Sequence, residues 1–141
     1  KPSFRSAYKY RRCLILADGF YEWKSQPGLK TKIPHHIHLQ GGQPLAFAGL
    51  WERWQSPDGS QVLSAAIITT EPNQLMISIH NRMPVILSPA SYPLWLDPAP
   101  KNPAELQSLL QPFPADTMEA FPVSTLVNSP GNDRPEILVR E

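Results

Sequence analysis

Proline is the residue that most restricts how this chain can fold. Seventeen of its 141 residues are prolines, more than twice the usual share of about 5%. Each proline removes a backbone N–H donor and fixes φ, which disfavours long helices. The prolines are dispersed, and four tryptophans indicate a packed core, so the composition does not predict disorder. We therefore expect a folded chain made of short elements.

Alternation of apolar and polar side chains is the commonest pattern along the chain and predicts β-strands. We predict strands over 13–17, 20–24, 34–40, 44–51, 62–70 and 85–87, with edge strands over 121–123 and 137–139. The first two form either a hairpin or two consecutive strands, because Asp18-Gly19 between them is a turn signal. The β-branched segment 62–70 is expected to be a central strand.

Helical patterns are fewer and shorter. Residues 71–77 are predicted to form one short helix. Ser88-Pro89 and Asn102-Pro103 each pair an N-cap residue with a proline at the first helical position, which predicts helices over 90–96 and 104–111. The fold class that follows is α+β: a β-rich single domain over 1–141, with one curved, partly closed, barrel-like mixed sheet and a few short helices.

Charge is unevenly distributed although the total is only +1. Residues 1–32 contain eight basic and two acidic side chains, a net charge of +6, whereas the remaining residues contain five basic and ten acidic ones, a net charge of −5. Such a basic segment is suited to a polyanion such as nucleic acid. A solvated, lysine-rich surface is the alternative interpretation.

Several classes of site have no support in the sequence. A single cysteine, Cys13, excludes an intrachain disulfide and a cysteine-based zinc site. The chain contains no Gly-x-Ser-x-Gly, Walker or Gly-x-Gly-x-x-Gly motif. His36 and His38 would share one face of a strand beside His35, but no acid or cysteine nearby completes a metal site. We therefore expect surface or edge-strand histidines, no metal and no cofactor.

Two titratable residues stand out by their surroundings. Glu22 lies between Tyr21 and Trp23 in an aromatic strand, and His80 lies in a polar loop between apolar segments. Both residue types can move protons in catalysis. In the alternative, Glu22 is an ion-pair partner of Arg12 or Lys24, and His80 anchors its loop by a hydrogen bond.

The motifs around these residues resemble one known family. The segments are Arg12-Cys-Leu-Ile-Leu-Ala-Asp-Gly-Phe-Tyr-Glu-Trp-Lys24, Pro44-Leu-Ala-Phe-Ala-Gly-Leu-Trp51, Ile67-Ile-Thr-Thr-Glu-Pro-Asn73, Ile79-His-Asn-Arg-Met-Pro-Val-Ile-Leu87, and Pro122-Val-Ser124 with Val127-Asn128, followed by Asn132 and Pro135. In this order they resemble the SRAP family, the SOS response-associated peptidases, also called abasic-site processing proteins.

The resemblance implies a mechanism and a set of site residues. An N-terminal cysteine captures the ring-opened aldehyde of an abasic site in single-stranded DNA, its amine forming a Schiff base that its thiolate closes to a thiazolidine. Glu22 matches the family glutamate that shuttles protons, and His80 matches the histidine that acts beside it as acid, base and lesion binder. Arg82 matches a DNA phosphate contact, and Thr69 matches a polar position lining the pocket.

One departure from the family bears on activity. Residue 1 is Lys1, the family's N-terminal cysteine is absent, and Cys13 is internal. We expect that upstream residues are missing and that this chain alone forms no crosslink. The resemblance further implies self-processing peptidase activity and a role in the SOS response. We also expect a monomer, a cytoplasmic location (nucleoid-associated in a bacterium), and no membrane partner, since no apolar run approaches the roughly 18 residues that a membrane span needs. A non-enzymatic single-stranded DNA-binding module and a general peptidase are the alternative functions.

Overall fold

The computed structural model of this chain describes residues 2–99 and 101–141. Lys1, counted above in the basic segment, lies outside the described residues. The chain divides into a first unit of residues 1–16, 46–70 and 84–113 and a second unit of residues 17–45, 71–83 and 114–141. Each unit therefore draws on three separate stretches of sequence.

Short elements account for the regular structure, as the prolines predict. The strands are β1 (Arg12–Ala17), β2 (Phe20–Ser25), β3 (Lys32–Leu39), β4 (Leu45–Gln55), β5 (Gln61–Ile67), β6 (Thr69–Thr70), β7 (Met83–Pro84), β8 (Ile86–Leu87) and β9 (Met118–Pro122). The α-helices are α1 (Arg5–Tyr10), α2 (Tyr92–Leu96) and α3 (Pro103–Gln107). Single 3-10 turns lie at Pro2–Phe4, Gln40–Gly42, Met76–Ser78, Pro89–Ser91, Ala115–Thr117, Thr125–Asn128 and Pro135–Leu138. No helix among these described residues is long and apolar enough to cross a membrane.

The first unit is built around a sheet of strand order β1-β4-β5, with β8 also pairing with β4. Small residues in β4 allow close packing, since a Cβ atom added at Gly49 would come within 2.9 Å of the Cys13 sulfur and of Ile15. Buried side chains from the helices and the sheet form one core cluster: Ala7, Ala48, Leu50, Val85, Leu87, Trp95 and Leu106.

The second unit contains the antiparallel sheet β2-β3-β9. Tyr21 pairs with His36 and Glu22 pairs with His35, so successive residues of β2 alternate between the two sheet faces. Ile37 in the central strand is fully buried. Met76, Ile79 and Met83, from the segment that carries His80, are also buried.

The α+β class, rich in strands and poor in helix, is confirmed, but the arrangement of the strands differs from the prediction. The strands lie in separate sheets, not in one curved, partly closed sheet. Segments 13–17 and 20–24 are consecutive strands of different sheets, which rules out the hairpin. The segment 62–70 contains β5 at the edge of its sheet, with Leu63 67% exposed, because β-branched composition favours a strand without specifying its neighbours.

Three local predictions were wrong in type or length. Residues 71–77 form no α-helix, since the Asn73 side chain accepts the backbone N–H groups of Leu75 and Met76 and only the 3-10 turn Met76–Ser78 follows. The predicted strand 137–139 does not form, because residues 137 and 138 belong to the 3-10 turn Pro135–Leu138 and residue 139 follows its end. The predicted helix 104–111 ends at Gln107 and continues as turns.

Candidate functional site

The structure brings Glu22 and His80 together within the second unit. The His80 Nε2 atom lies 3.8 Å from the Glu22 Oε1 atom. The Glu22 side chain is 24% exposed and that of His80 38%, so the pair is partly shielded and still reachable from solvent. A carboxylate and an imidazole at this distance can both act on one bound group.

Strand β2 sets the position of Glu22. Glu22 pairs with His35 across the sheet, and the Trp23 backbone N–H lies 3.3 Å from Glu22 Oε1 and donates to it. The ion-pair alternative is wrong for both cations: the Arg12 guanidinium donates to carbonyl oxygens of the first unit, and among the described residues Glu22 has an ion-pair contact with His80 and none with Lys24. The partner that faces Glu22 is therefore His80.

The Asn73 side chain stabilises the start of the turn that positions His80. Its Oδ1 atom accepts the N–H groups of Leu75 at 3.1 Å and Met76 at 2.9 Å. The N–H groups of Ile79 and His80 then donate to the Met76 carbonyl oxygen. Asn73 belongs to the matched segment that ends in Glu-Pro-Asn, but its part in orienting the histidine loop is evident only from these contacts.

The backbone of Arg82 suits both protonation states of His80. Its N–H group lies 3.2 Å from His80 Nδ1, and its carbonyl oxygen is also 3.2 Å from the same atom. When His80 is neutral, Nδ1 accepts from the N–H, which leaves the ring proton on Nε2 facing Glu22. When His80 is charged, Nδ1–H donates to the carbonyl. The predicted loop-anchoring hydrogen bond is thus present, and it is compatible with proton transfer at Nε2.

His80 also lines an open cleft of about 620 Å³. Its other lining residues come from the ends of β2 and β3 and from the segment around the Met76–Ser78 turn: Ser25, Lys32, Pro72, Ile77, Ser78, Ile79 and Asn81. None of these lining residues is acidic. Sequence analysis missed this cleft, and the one signal for it was that Lys32 belongs to the basic segment 1–32.

The other two predicted site residues are placed differently. Arg82 is exposed and directly follows the His80 loop in the second unit. Thr69 is exposed on β6, in the first unit. Their contributions to the pocket and to DNA binding remain predictions.

Cys13 is unsuited to the role of nucleophile. It is only partly exposed, and burial raises the pKa of its thiol above the ordinary value. A raised pKa lowers the thiolate fraction, and the thiolate is the reactive form. Its carbonyl oxygen accepts the Trp95 indole N–H at 2.8 Å, which places Cys13 in the packing of the first unit.

The three neighbouring histidines are not on the surface or an edge strand as predicted, because they lie half-buried on β3, the middle strand of its sheet. His36 and His38 share a face of β3, as predicted, and their rings stack at 5.5 Å. The His38 Nε2 atom lies 3.3 Å from a Glu119 carboxylate oxygen. The described residues contain no group of three or more His, Cys, Asp or Glu side chains able to hold a metal ion.

Two asparagines from the matched segments fasten the C-terminal turns. The Trp23 indole N–H donates to Asn128 Oδ1 at 2.6 Å, which ties the 3-10 turn Thr125–Asn128 to β2. The Asn132 amide donates to the Leu126 carbonyl oxygen at 2.9 Å. The Trp23–Asn128 hydrogen bond therefore contacts β2 through the residue after Glu22, and the Asn132–Leu126 hydrogen bond stabilises the turn itself.

Comparison with known proteins identifies the family. The sequence profile described as SOS response associated peptidase (SRAP) matches residues 1–130. The chain belongs to the SRAP family. The match spans both units and includes Glu22 and His80.

Named relatives share the sequence over nearly the whole chain. The abasic site processing protein YoqW of Bacillus subtilis is 53% identical over 138 residues, which cover 98% of this chain and 61% of YoqW. The abasic site processing protein HMCES of Gallus gallus is 36% identical over 151 residues, which cover 93% of this chain and 44% of HMCES. The chain therefore spans less than two thirds of the length of these relatives.

Solved structures show the same fold. A crystal structure of a protein from Bacteroides thetaiotaomicron matches with a TM-score of 0.90 at 33% identity, covering 100% of this chain and 61% of that protein. A Bordetella bronchiseptica protein matches with a TM-score of 0.76 at 30% identity, over 86% of this chain and 59% of that one.

Proposed function

We propose that this protein processes abasic sites in single-stranded DNA, with Glu22 and His80 as its acid–base pair. The observation that carries the proposal is the 3.8 Å approach of His80 Nε2 to Glu22 Oε1 inside a chain of the SRAP family. The names of YoqW and HMCES, abasic site processing proteins, supply the substrate class.

The reaction needs protons moved in both directions. An abasic sugar opens to its C1′ aldehyde when the ring oxygen gains a proton and the C1′ hydroxyl loses one. A cysteine α-amine then attacks C1′, one water leaves as a Schiff base forms, and the thiolate attacks the same carbon to close a thiazolidine. A carboxylate and an imidazole that share one site can accept and return these protons.

The nucleophile is not supplied by the residues described above. Cys13 is the one cysteine of the chain, and it is internal and partly buried. We expect the 141-residue chain to bind abasic DNA and to form no crosslink by itself. Self-processing by the family's peptidase activity, a monomeric state and a cytoplasmic location belong to the same proposal.

A cysteine supplied in trans tests the acid–base pair without a crosslinking residue in the chain. The dipeptide Cys-Gly offers a free α-amine and thiol, and thiazolidine formation on an abasic single-stranded oligonucleotide is followed by mass spectrometry with and without protein. We expect the protein to accelerate the reaction. Glu22→Gln and His80→Gln should each remove about a hundredfold or more of that acceleration, the usual scale of acid–base catalysis.

The chain contains a matched control pair. Glu119 and His38 lie 3.3 Å apart on β9 and β3, and Glu119→Gln and His38→Gln should leave the acceleration intact. Saturable DNA binding with no acceleration would overturn the proposal and favour a non-enzymatic single-stranded DNA-binding module.

A further inference from the structure

The cleft beside His80 has a composition suited to a nucleic-acid strand. Its polar lining consists of hydroxyl, amide, imidazole and ammonium groups from Ser25, Ser78, Asn81, His80 and Lys32. These groups include donors for phosphate oxygens, and with no lining carboxylate the cleft would not repel phosphate. Its volume of about 620 Å³ falls in the range of ligand pockets.

Lys32 supplies the only full positive charge of the lining. It is exposed at the start of β3, where it pairs in register with Ser25 at the end of β2, and both residues line the cleft. Among the described residues no carboxylate lies within ion-pair distance of Lys32, so its ammonium group is available to an anion. Lys30, two residues earlier and also exposed, does not line the cleft.

Ile77 supplies an apolar surface in the same cleft. It lies in the Met76–Ser78 turn and is 67% exposed, whereas its neighbour Met76 is fully buried. Apolar side chains that project beside a nucleic-acid strand can pack against bases or separate them. Leu29 is similarly exposed, at 62%, but lies outside the cleft.

We infer that this cleft binds the nucleotide adjacent to the abasic site, with Lys32 on its phosphate and Ile77 against its base. The inference rests on the proposed function. His80 joins the two sites, because it faces Glu22 and also lines the cleft. A strand whose damaged sugar reaches the Glu22–His80 pair would therefore place a neighbouring nucleotide over Lys32.

Binding to a stable abasic analogue separates this subsite from the chemistry. The probe is a fluorescent single-stranded oligonucleotide with one tetrahydrofuran residue, which has no aldehyde, and its Kd is measured by anisotropy over a series of salt concentrations. We expect Lys32→Gln to weaken binding about three- to tenfold, the scale of one exposed phosphate contact, and to reduce the slope of log K against log salt by about 0.7.

Control variants make the result specific. Lys32→Arg keeps the charge and should retain the wild-type Kd, and Lys30→Gln should change it less than about twofold. Ile77→Ala should weaken binding about threefold without changing the salt slope, whereas Leu29→Ala should not. An unchanged Kd and slope in Lys32→Gln, or an equal loss in Lys30→Gln, would overturn the inference.

The two proposals fail in different ways. If Glu22→Gln abolishes the acceleration of the Cys-Gly reaction while Lys32→Gln leaves the Kd unchanged, the function stands and the subsite is wrong. If Lys32→Gln weakens binding while Glu22→Gln leaves the acceleration intact, the proposed chemistry is wrong and the cleft is a DNA-binding site alone. If the wild-type chain shows no saturable binding of the oligonucleotide, both are wrong.

Discussion

Gly19 illustrates how a single residue is constrained by its neighbours and not by its own backbone. Asp18-Gly19 is a turn signal in the sequence, yet Gly19 is not among the glycines with positive φ. A Cβ atom at this position would lie 2.5 Å from His36 Nε2 and 2.7 Å from the Ile37 carbonyl oxygen. The missing side chain therefore lets the chain pass close against β3.

Replacing Gly19 by alanine should destabilise the protein. The contact with the Ile37 carbonyl oxygen involves backbone, which cannot move aside cheaply, so we expect Gly19→Ala to lower the free energy of unfolding by about 1–3 kcal/mol. Gly131→Ala is the control, because its nearest neighbour would lie 3.9 Å away. Urea denaturation of both variants tests this, and equal midpoints would contradict it.

At the scale of elements, Arg12 holds together the start of β1 and the region of α2. It is only 8% exposed, and its guanidinium donates to the backbone carbonyl oxygens of Tyr8, Lys9, Trp95, Asp97 and Ala99. A cation from the basic segment is thus used inside the first unit, where it is not available to a polyanion.

Arg12→Met should cost about 3 kcal/mol or more in the free energy of unfolding, because it leaves buried carbonyl groups without donors. Arg11→Met provides the comparison. Arg11 forms a partly exposed ion pair with Glu52 and donates one hydrogen bond to the Trp51 carbonyl oxygen, so its loss should cost less, about 1–2 kcal/mol. Thermal melting followed by near-ultraviolet circular dichroism would reveal the difference, and similar melting temperatures would count against it.

Helix α3 depends on its N-terminal cap. The Asn102 side chain accepts the Ala104 N–H at 3.0 Å, and Glu105 accepts the Asn102 N–H at 3.2 Å. This capping box begins a helix whose residue Leu106 is fully buried in the core of the first unit. Asn102→Ala should lower the free energy of unfolding by about 1 kcal/mol, whereas Asn102→Asp keeps the acceptor and should be close to neutral in urea denaturation.

At the scale of the whole molecule, stability should depend on pH through His36. Burial, followed by the neighbouring His38, lowers the pKa of His36 below its ordinary value of 6.5, and the Asp18 carboxylate only partly opposes this. The unfolded chain then takes up a proton before the folded chain does. Stability from this group is therefore complete above about pH 6.5 and is lost as the pH falls toward the lowered pKa.

Urea midpoints at about pH 7.5 and about pH 5.5 measure this effect. We expect the wild-type midpoint to fall on acidification and His36→Gln to remove part of that fall. His35→Gln, at the adjacent position of β3, should retain it. A wild-type midpoint that rises on acidification would refute the sign of the dependence.

The chain passes repeatedly between its two units, and each unit uses three separate stretches. No single position in the sequence separates the two units, so local composition cannot mark a domain boundary between them. A single domain over 1–141 remains a prediction. The basic segment is divided as well: Arg11 and Arg12 belong to the first unit, and Lys24, Lys30 and Lys32 to the second. The net charge of +6 therefore describes a stretch of sequence whose side chains are shared between the two units.

The sequence by itself determined the short elements, most of the strands, the helix start at Asn102-Pro103 and the family, whereas Ser88-Pro89 begins a 3-10 turn and α2 starts only at Tyr92. Proline, side-chain alternation and capping each act over a few consecutive residues, so their effects can be predicted from the sequence alone. Only the tertiary structure decided that Glu22 faces His80, that Lys32 lines the cleft beside them, and that β5 lies at an edge. These features depend on which distant segments pack together, and no local pattern encodes that choice.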